Sequence, residues 1–138
     1  IYPGETTHLT EIGLVTQRNV VKAKLATGDF DWILVENAQP DIIAGNKEYV
    51  VEDENGFNVS VVRALVTNRS VSDVSRVEVT ALVFDEDGNI AGVNRTVFDQ
   101  IRGNDTRQVR FVWPGIISSR VATVAVEARS HSGLGGTE

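Results

Sequence analysis

The chain contains no cysteine and no methionine in 138 residues, and only three prolines and two histidines. The absence of cysteine excludes disulfides, thiolate catalysis and Cys-ligated zinc together. The two imidazoles, His8 and His131, stand far apart, and neither has a nucleophile motif such as G-x-S-x-G nearby. His131 lies in Ser130-His131-Ser132-Gly133-Leu134-Gly135-Gly136, a Gly/Ser-rich stretch in which a catalytic base is not held in geometry. Those glycines precede no helix, so they form no phosphate loop. Basic residues are the minority, 13 against 19 acidic, for a net charge of −6. A protein that tracks a nucleic-acid backbone needs a basic stripe, so no nucleic-acid partner is expected. No apolar run approaches the ~20 residues of a membrane-spanning helix. The N-terminus lacks the basic-then-apolar form of a signal peptide, and Ile1-Tyr2-Pro3-Gly4 is not a translation start. That beginning reads as a processed chain or a piece of a longer one.

What remains is a globular balance, 41% hydrophobic and 23% charged, with strand periodicity nearly throughout. The clearest run is 76–85, with Val77, Val79, Ala81 and Val83 on one face and Arg76, Glu78 and Thr80 on the other. In 108–113, Val109, Phe111 and Trp113 share a face. Ala122, Val124, Val126 and Ala128 do so further on, and Val62, Ala64 and Val66 form the inward set of 58–68. Asn55-Gly56 and Asp87-Gly88 sit between runs, where residues with positive φ close a hairpin. The expected strands are 6–14, 19–27, 31–38, 47–53, 57–67, 75–85, 90–98, 106–113 and 120–128. Their spacing of roughly ten residues is that of an all-β sandwich.

The last seven strands suffice for one immunoglobulin-like β-sandwich, which leaves two additional N-terminal strands. A short internal repeat offers a reason. Gly4-Glu5-Thr6-Thr7 matches Gly103-Asn104-Asp105-Thr106, and Val20, Ala23 and Leu25 match Val121, Val124 and Val126 after a short gap. The expected organisation is therefore 1–28, two strands of a partial preceding domain or a strand-exchange segment; 29–130, the sandwich; and 131–138, a flexible tail.

Ala81-Leu82-Val83-Phe84-Asp85-Glu86-Asp87-Gly88-Asn89 resembles the strand and hairpin of FxLYD-type immunoglobulin-like domains. Val66-Thr67-Asn68-Arg69-Ser70 is similar to that family's V-x-N-x-S strand end. Val109-Arg110-Phe111-Val112-Trp113-Pro114 is similar to the F-x-W-P strand of related tandem domains in exported prokaryotic envelope proteins. The family's leading Phe is Ala81 here. The resemblance covers roughly residues 30–130. It implies a surface or envelope location with a structural or binding role, and it brings no catalytic residues.

No catalytic, cofactor or metal site emerges. Asp85, Asp87 and Asn89 alternate as cation ligands do, but the EF-hand spacing from Asp85 places Thr96 where the closing Glu belongs. Glu36, Asp41, Glu48, Glu52 and Glu54 read as a solvated acidic face. Two other signals stand out. Four N-x-S/T sequons occur, at Asn58, Asn68, Asn94 and Asn104. Nine asparagines, each followed two positions on by Ser/Thr at the chain's frequency of 19 in 138, give about 1.2 by chance. All four are candidate N-glycosylation sites. The second signal is apolar: Leu82, Phe84 and Val112 lie opposite the core sets of their strands and form a candidate interaction face.

These observations lead to one expectation. It is a non-enzymatic extracellular structural protein, either a cell-envelope module or a subunit of a surface filament. The alternative is a ligand- or protein-binding ectodomain module of a membrane-anchored protein. Partners are other protein subunits, as a homo-oligomer or as tandem domains.

Overall fold

The computed structural model describes residues 8, 21–29, 40–117 and 120–130. The chain divides into two units, 1–38 and 39–138. In the first, residues 21–29 have no regular secondary structure, so the strand expected over 19–27 does not form across its described part. Its alternation is real, but no ladder among the described residues includes it, and a strand pattern without a paired neighbour buries nothing. Val21 is 97% exposed. The strands expected at 6–14 and 31–38, and the tail from 131, lie outside the described residues, His8 apart.

The second unit is all-β. Its six strands are β1 (Ile42–Glu54), β2 (Phe57–Asn68), β3 (Val74–Asp85), β4 (Ile90–Ile101), β5 (Thr106–Pro114) and β6 (Val121–Ser130). They form two antiparallel sheets, ordered β1-β2-β5 and β4-β3-β6, packed as a β-sandwich. β1 and β2 are joined by Asn55-Gly56 alone, both at positive φ (56° and 83°), the backbone of a type I′ turn. Asp53 Oδ1 accepts the Gly56 amide and fixes the turn. β1 begins at Ile42 rather than at 47 because Gly45-Asn46-Lys47 does not end the strand. The ladder shifts register there, with Asn46 at φ 49°, and continues as a bulge.

The facing assignments hold. Val77, Val79, Ala81 and Val83 meet Val62, Ala64 and Val66 across the core, with Val109, Phe111 and Val126 around them. β-branched side chains fit this pleated, half-buried geometry, and valine supplies most of it. Phe111 is 2% exposed and packs at 6.4 Å, ring centre to ring centre, on Trp113. Ala122 alone departs from its expected set and is exposed, because the β3–β6 register shifts between Phe84 and Asp85.

The ladders fix which connections share an end of the sandwich. One end carries the Asn55-Gly56 turn, the β3–β4 turn at 86–89 and the segment that leaves β5. The other carries the start of β1, the connections 69–73 and 102–105, and the finish of β6.

Candidate contact surfaces

The outer face of sheet β1-β2-β5 is an apolar rung beneath a charged cover. Val50, Val61 and Val112 stand abreast on adjacent strands. Arg63 and Arg110 occupy the rung on one side of them, beside Glu48, while Glu52 occupies the rung on the other side. Arg63 bonds Glu52 and lies 3.6 Å from Glu48; Arg110 bonds Glu52 at 2.9 Å and also reaches Glu54. Both side chains therefore cross the valine rung, and Val61 has no exposed surface. The Arg110 guanidinium is held above its ordinary value by its hydrogen bonds to Glu52 and then Glu54. The acidic residues 48, 52 and 54 thus stay at the surface as partners of Arg63 and Arg110, and Glu36 lies outside the described residues. Asp41 is likewise held, by the Arg69 guanidinium through two bonds of 2.9 Å.

The candidate face of Leu82, Phe84 and Val112 is not assembled. Leu82 and Phe84 lie on the outer face of sheet β4-β3-β6, whereas Val112 lies on the outer face of the opposite sheet, beside Val61. Nor is Leu82 an exposed residue. It sits on a central strand between Val93 and Ala125 and is 1% exposed, with Phe84 half-buried next to it. Strand alternation alone gave the side of each strand, but not which sheet each strand joins.

The two ends differ in chemistry. At the end formed by 69–73 and 102–105, Asn68 is completely buried. Its Nδ2 donates to the carbonyls of Ser72 (2.8 Å), Ile101 (3.2 Å) and Arg102 (3.2 Å), and its Oδ1 accepts the Ser70 amide. Asp73 accepts the Gly103 amide and the Gln100 amide group. Gly103 has no alternative there, since a Cβ would lie 2.1 Å from the Val71 carbonyl oxygen. The opposite end, with both tight turns, exposes four large apolar side chains: Phe57 (74%), Ile116 (54%), Ile90 (52%) and Val51 (46%). Beneath them, buried Ser60 bonds the Tyr49 hydroxyl (3.0 Å) and accepts the Ile117 amide (2.9 Å). The edges of β4 and β5 are also tied: Trp113 Nε1 donates to the Val93 carbonyl and Asn94 Nδ2 to the Val112 carbonyl, both at 3.1 Å.

These bonds sort the sequons. Asn58 and Asn104 are exposed. Asn94 is half-buried with its amide nitrogen on β5, and Asn68 is corrected from acceptor to buried structural hub. The Asp85 carboxylate is used within its own turn, accepting the amides of Asp87 and Asn89.

No family model matches the chain, and no curated protein does. Among solved structures it is similar to a DUF1425 family member from Shewanella sp. pv-4, at 17% identity and a TM-score of 0.48. That match covers 71% of this chain and 85% of the other. Among the described residues, no helix is long and apolar enough to cross a membrane.

Proposed function

We propose that the chain is a non-enzymatic module of the cell surface or envelope that works by protein–protein contact through the hairpin end of its sandwich. The observation that carries this reading is the exposure of Phe57, Ile116, Ile90 and Val51 at the end that bears both tight turns, with Phe57 and Ile90 on the outer faces of opposite sheets. Large apolar groups left exposed beside short turns are available to a partner. Loops on a rigid sandwich are the usual carriers of binding residues. The strand order supports an immunoglobulin-like assignment, because β1-β2-β5 follows A-B-E and β4-β3-β6 follows C′-C-F of that topology. The FxLYD-type resemblance supports the envelope location.

A photo-crosslinking residue at position 57, introduced in the source cells, should join the chain to a protein of the envelope fraction. The same probe at 71, at the other end, should not. Equal labelling from both positions, or a wholly cytoplasmic chain, overturns the reading. Export through a glycosylating cell carries a second expectation. If the source cell has N-glycosylation machinery on its export route, native material should bear a glycan at Asn58 or Asn104 and none at Asn68, whose amide has no room for one. Peptide mass mapping of native material from such a cell checks this, and an unmodified chain refutes it.

A further inference from the structure

We infer that Asn55 is a site of spontaneous covalent modification, where the side-chain amide is lost to give aspartate or isoaspartate, and that Asp53 restrains the reaction. Asn55 is the only one of the nine asparagines that precedes a glycine. Glycine has no Cβ to shield its backbone nitrogen, so that nitrogen can approach the asparagine side chain closely. The first step is a ring closure. The Gly56 nitrogen attacks Asn55 Cγ, and a new N–Cγ bond forms. The bond from Cγ to the side-chain nitrogen breaks, and ammonia leaves with the proton that the Gly56 nitrogen gives up. Water then opens the five-membered imide. Attack at the side-chain carbonyl gives aspartate, and attack at the backbone carbonyl gives isoaspartate.

The structure both offers the site and holds it back. Asn55 and Gly56 are exposed. The Asn55 side chain takes part in none of the hydrogen bonds among the described residues, whereas the amide groups of Asn68, Asn89 and Asn94 are all bonded. The Gly56 N–H, however, donates to Asp53 Oδ1 at 3.0 Å, so the attacking nitrogen is engaged. The turn also holds Asn55 at φ 56°, and the planar imide needs a ψ far from the about +30° of a type I′ turn. Ring closure therefore waits for the hairpin tip to open, a local motion that needs far less than global unfolding. The isoaspartate product carries the main chain through the side-chain carbon, one methylene longer. A two-residue loop has no room for it, so the Glu54–Phe57 pair that closes the ladder is lost first, and with it the reach of Glu54 to Arg110. Modification at 55 thus registers past openings of the hairpin and loosens one side of the outer face.

The test is peptide mass mapping of the full-length chain over time in mildly alkaline buffer. One sample is kept folded and another is unfolded in guanidinium chloride at the same pH. Residue 55 should convert in both, with isoaspartate in excess, and no other asparagine should keep pace. Conversion should be roughly tenfold or more slower in the folded chain. Asp53→Ala should quicken it there about three- to tenfold, the worth of one hydrogen bond, and leave the unfolded rate unchanged. Asp53→Asn keeps an oxygen acceptor and should stay within about twofold of the wild type. A folded chain that keeps Asn55 intact after the unfolded chain has converted overturns the site. Equal rates in the folded and unfolded wild type, or an Asp53→Ala rate equal to that of the wild type, overturn the restraint. An Asp53→Asn rate that matches Asp53→Ala overturns the hydrogen bond as its cause. Unchanged far-UV circular dichroism in both variants shows that folding is not the cause.

Discussion

One end of the sandwich is held by a buried side-chain hub that spans two connections, and the other by short turns that each hold themselves. Around Asn68 and Asp73, side-chain oxygens and nitrogens satisfy the backbone of two connections, and of the apolar residues there Val71 and Ile43 stay exposed. At the opposite end the turns are only two to four residues long and satisfy themselves, which frees Phe57, Ile90 and Ile116 from any internal duty. The difference teaches where the fold is held and where it can meet something. A polar network that is fully satisfied gives a unique loop geometry. Exposed apolar groups on short turns cost the fold little and are available for binding.

The reference for both ends is the core between them. Phe111→Ala should cost about 3–5 kcal/mol in denaturant titration, because the ring is buried among side chains of both sheets. A loss under about 1 kcal/mol would remove the premise that the ends are secondary. Next in size is Asn68→Ala. It strips donors from three carbonyls and should cost about 2–4 kcal/mol. Amide exchange should quicken first over 69–73 and 102–105, and uniform quickening would show that the hub is not local. Ser60→Ala should cost about 1–2 kcal/mol and free the segment around Ile117, sharpening the contrast by showing a smaller polar anchor at the hairpin end. Smallest is Phe57→Ser, expected within about 0.5 kcal/mol of the wild type. A large loss there would mean that Phe57 supports the fold, and the comparison between the ends would break.

Much of the sandwich was legible because its information is local. The inward valines of 77–83 follow from alternation, and the Asn55-Gly56 turn sets a register that places Glu48 opposite Arg63 by counting back along both strands. Arg110 was not legible in the same way. Its place over Glu52 depends on β5 pairing with β2, a contact between residues far apart in sequence. The same gap scattered Leu82, Phe84 and Val112, whose sides were read from alternation while their sheets were not. Asn68 was misread for a different reason. Asn-x-Ser is both a glycan acceptor pattern and an Asx turn, and only burial separates the two. The bulge at Gly45–Glu48 looked like a strand end because turn-forming residues also form bulges.

Both β1 and β6 have their outer termini at the same end of the sandwich, Ile42 opposite Asn68 and Ser130 opposite Val77. This gives the domain a direction in which it is mechanically weak. Tension applied between Ile42 and Ser130 peels β1 from β2 and β6 from β3, and the cross-strand bonds fail one rung at a time. Tension applied between Ile42 and the hairpin end drags β1 lengthwise along β2, and the whole ladder resists together. Linked through its own chain ends, as in a tandem array, the sandwich is a weak link. Gripped by its turns, the same sandwich is a strong one.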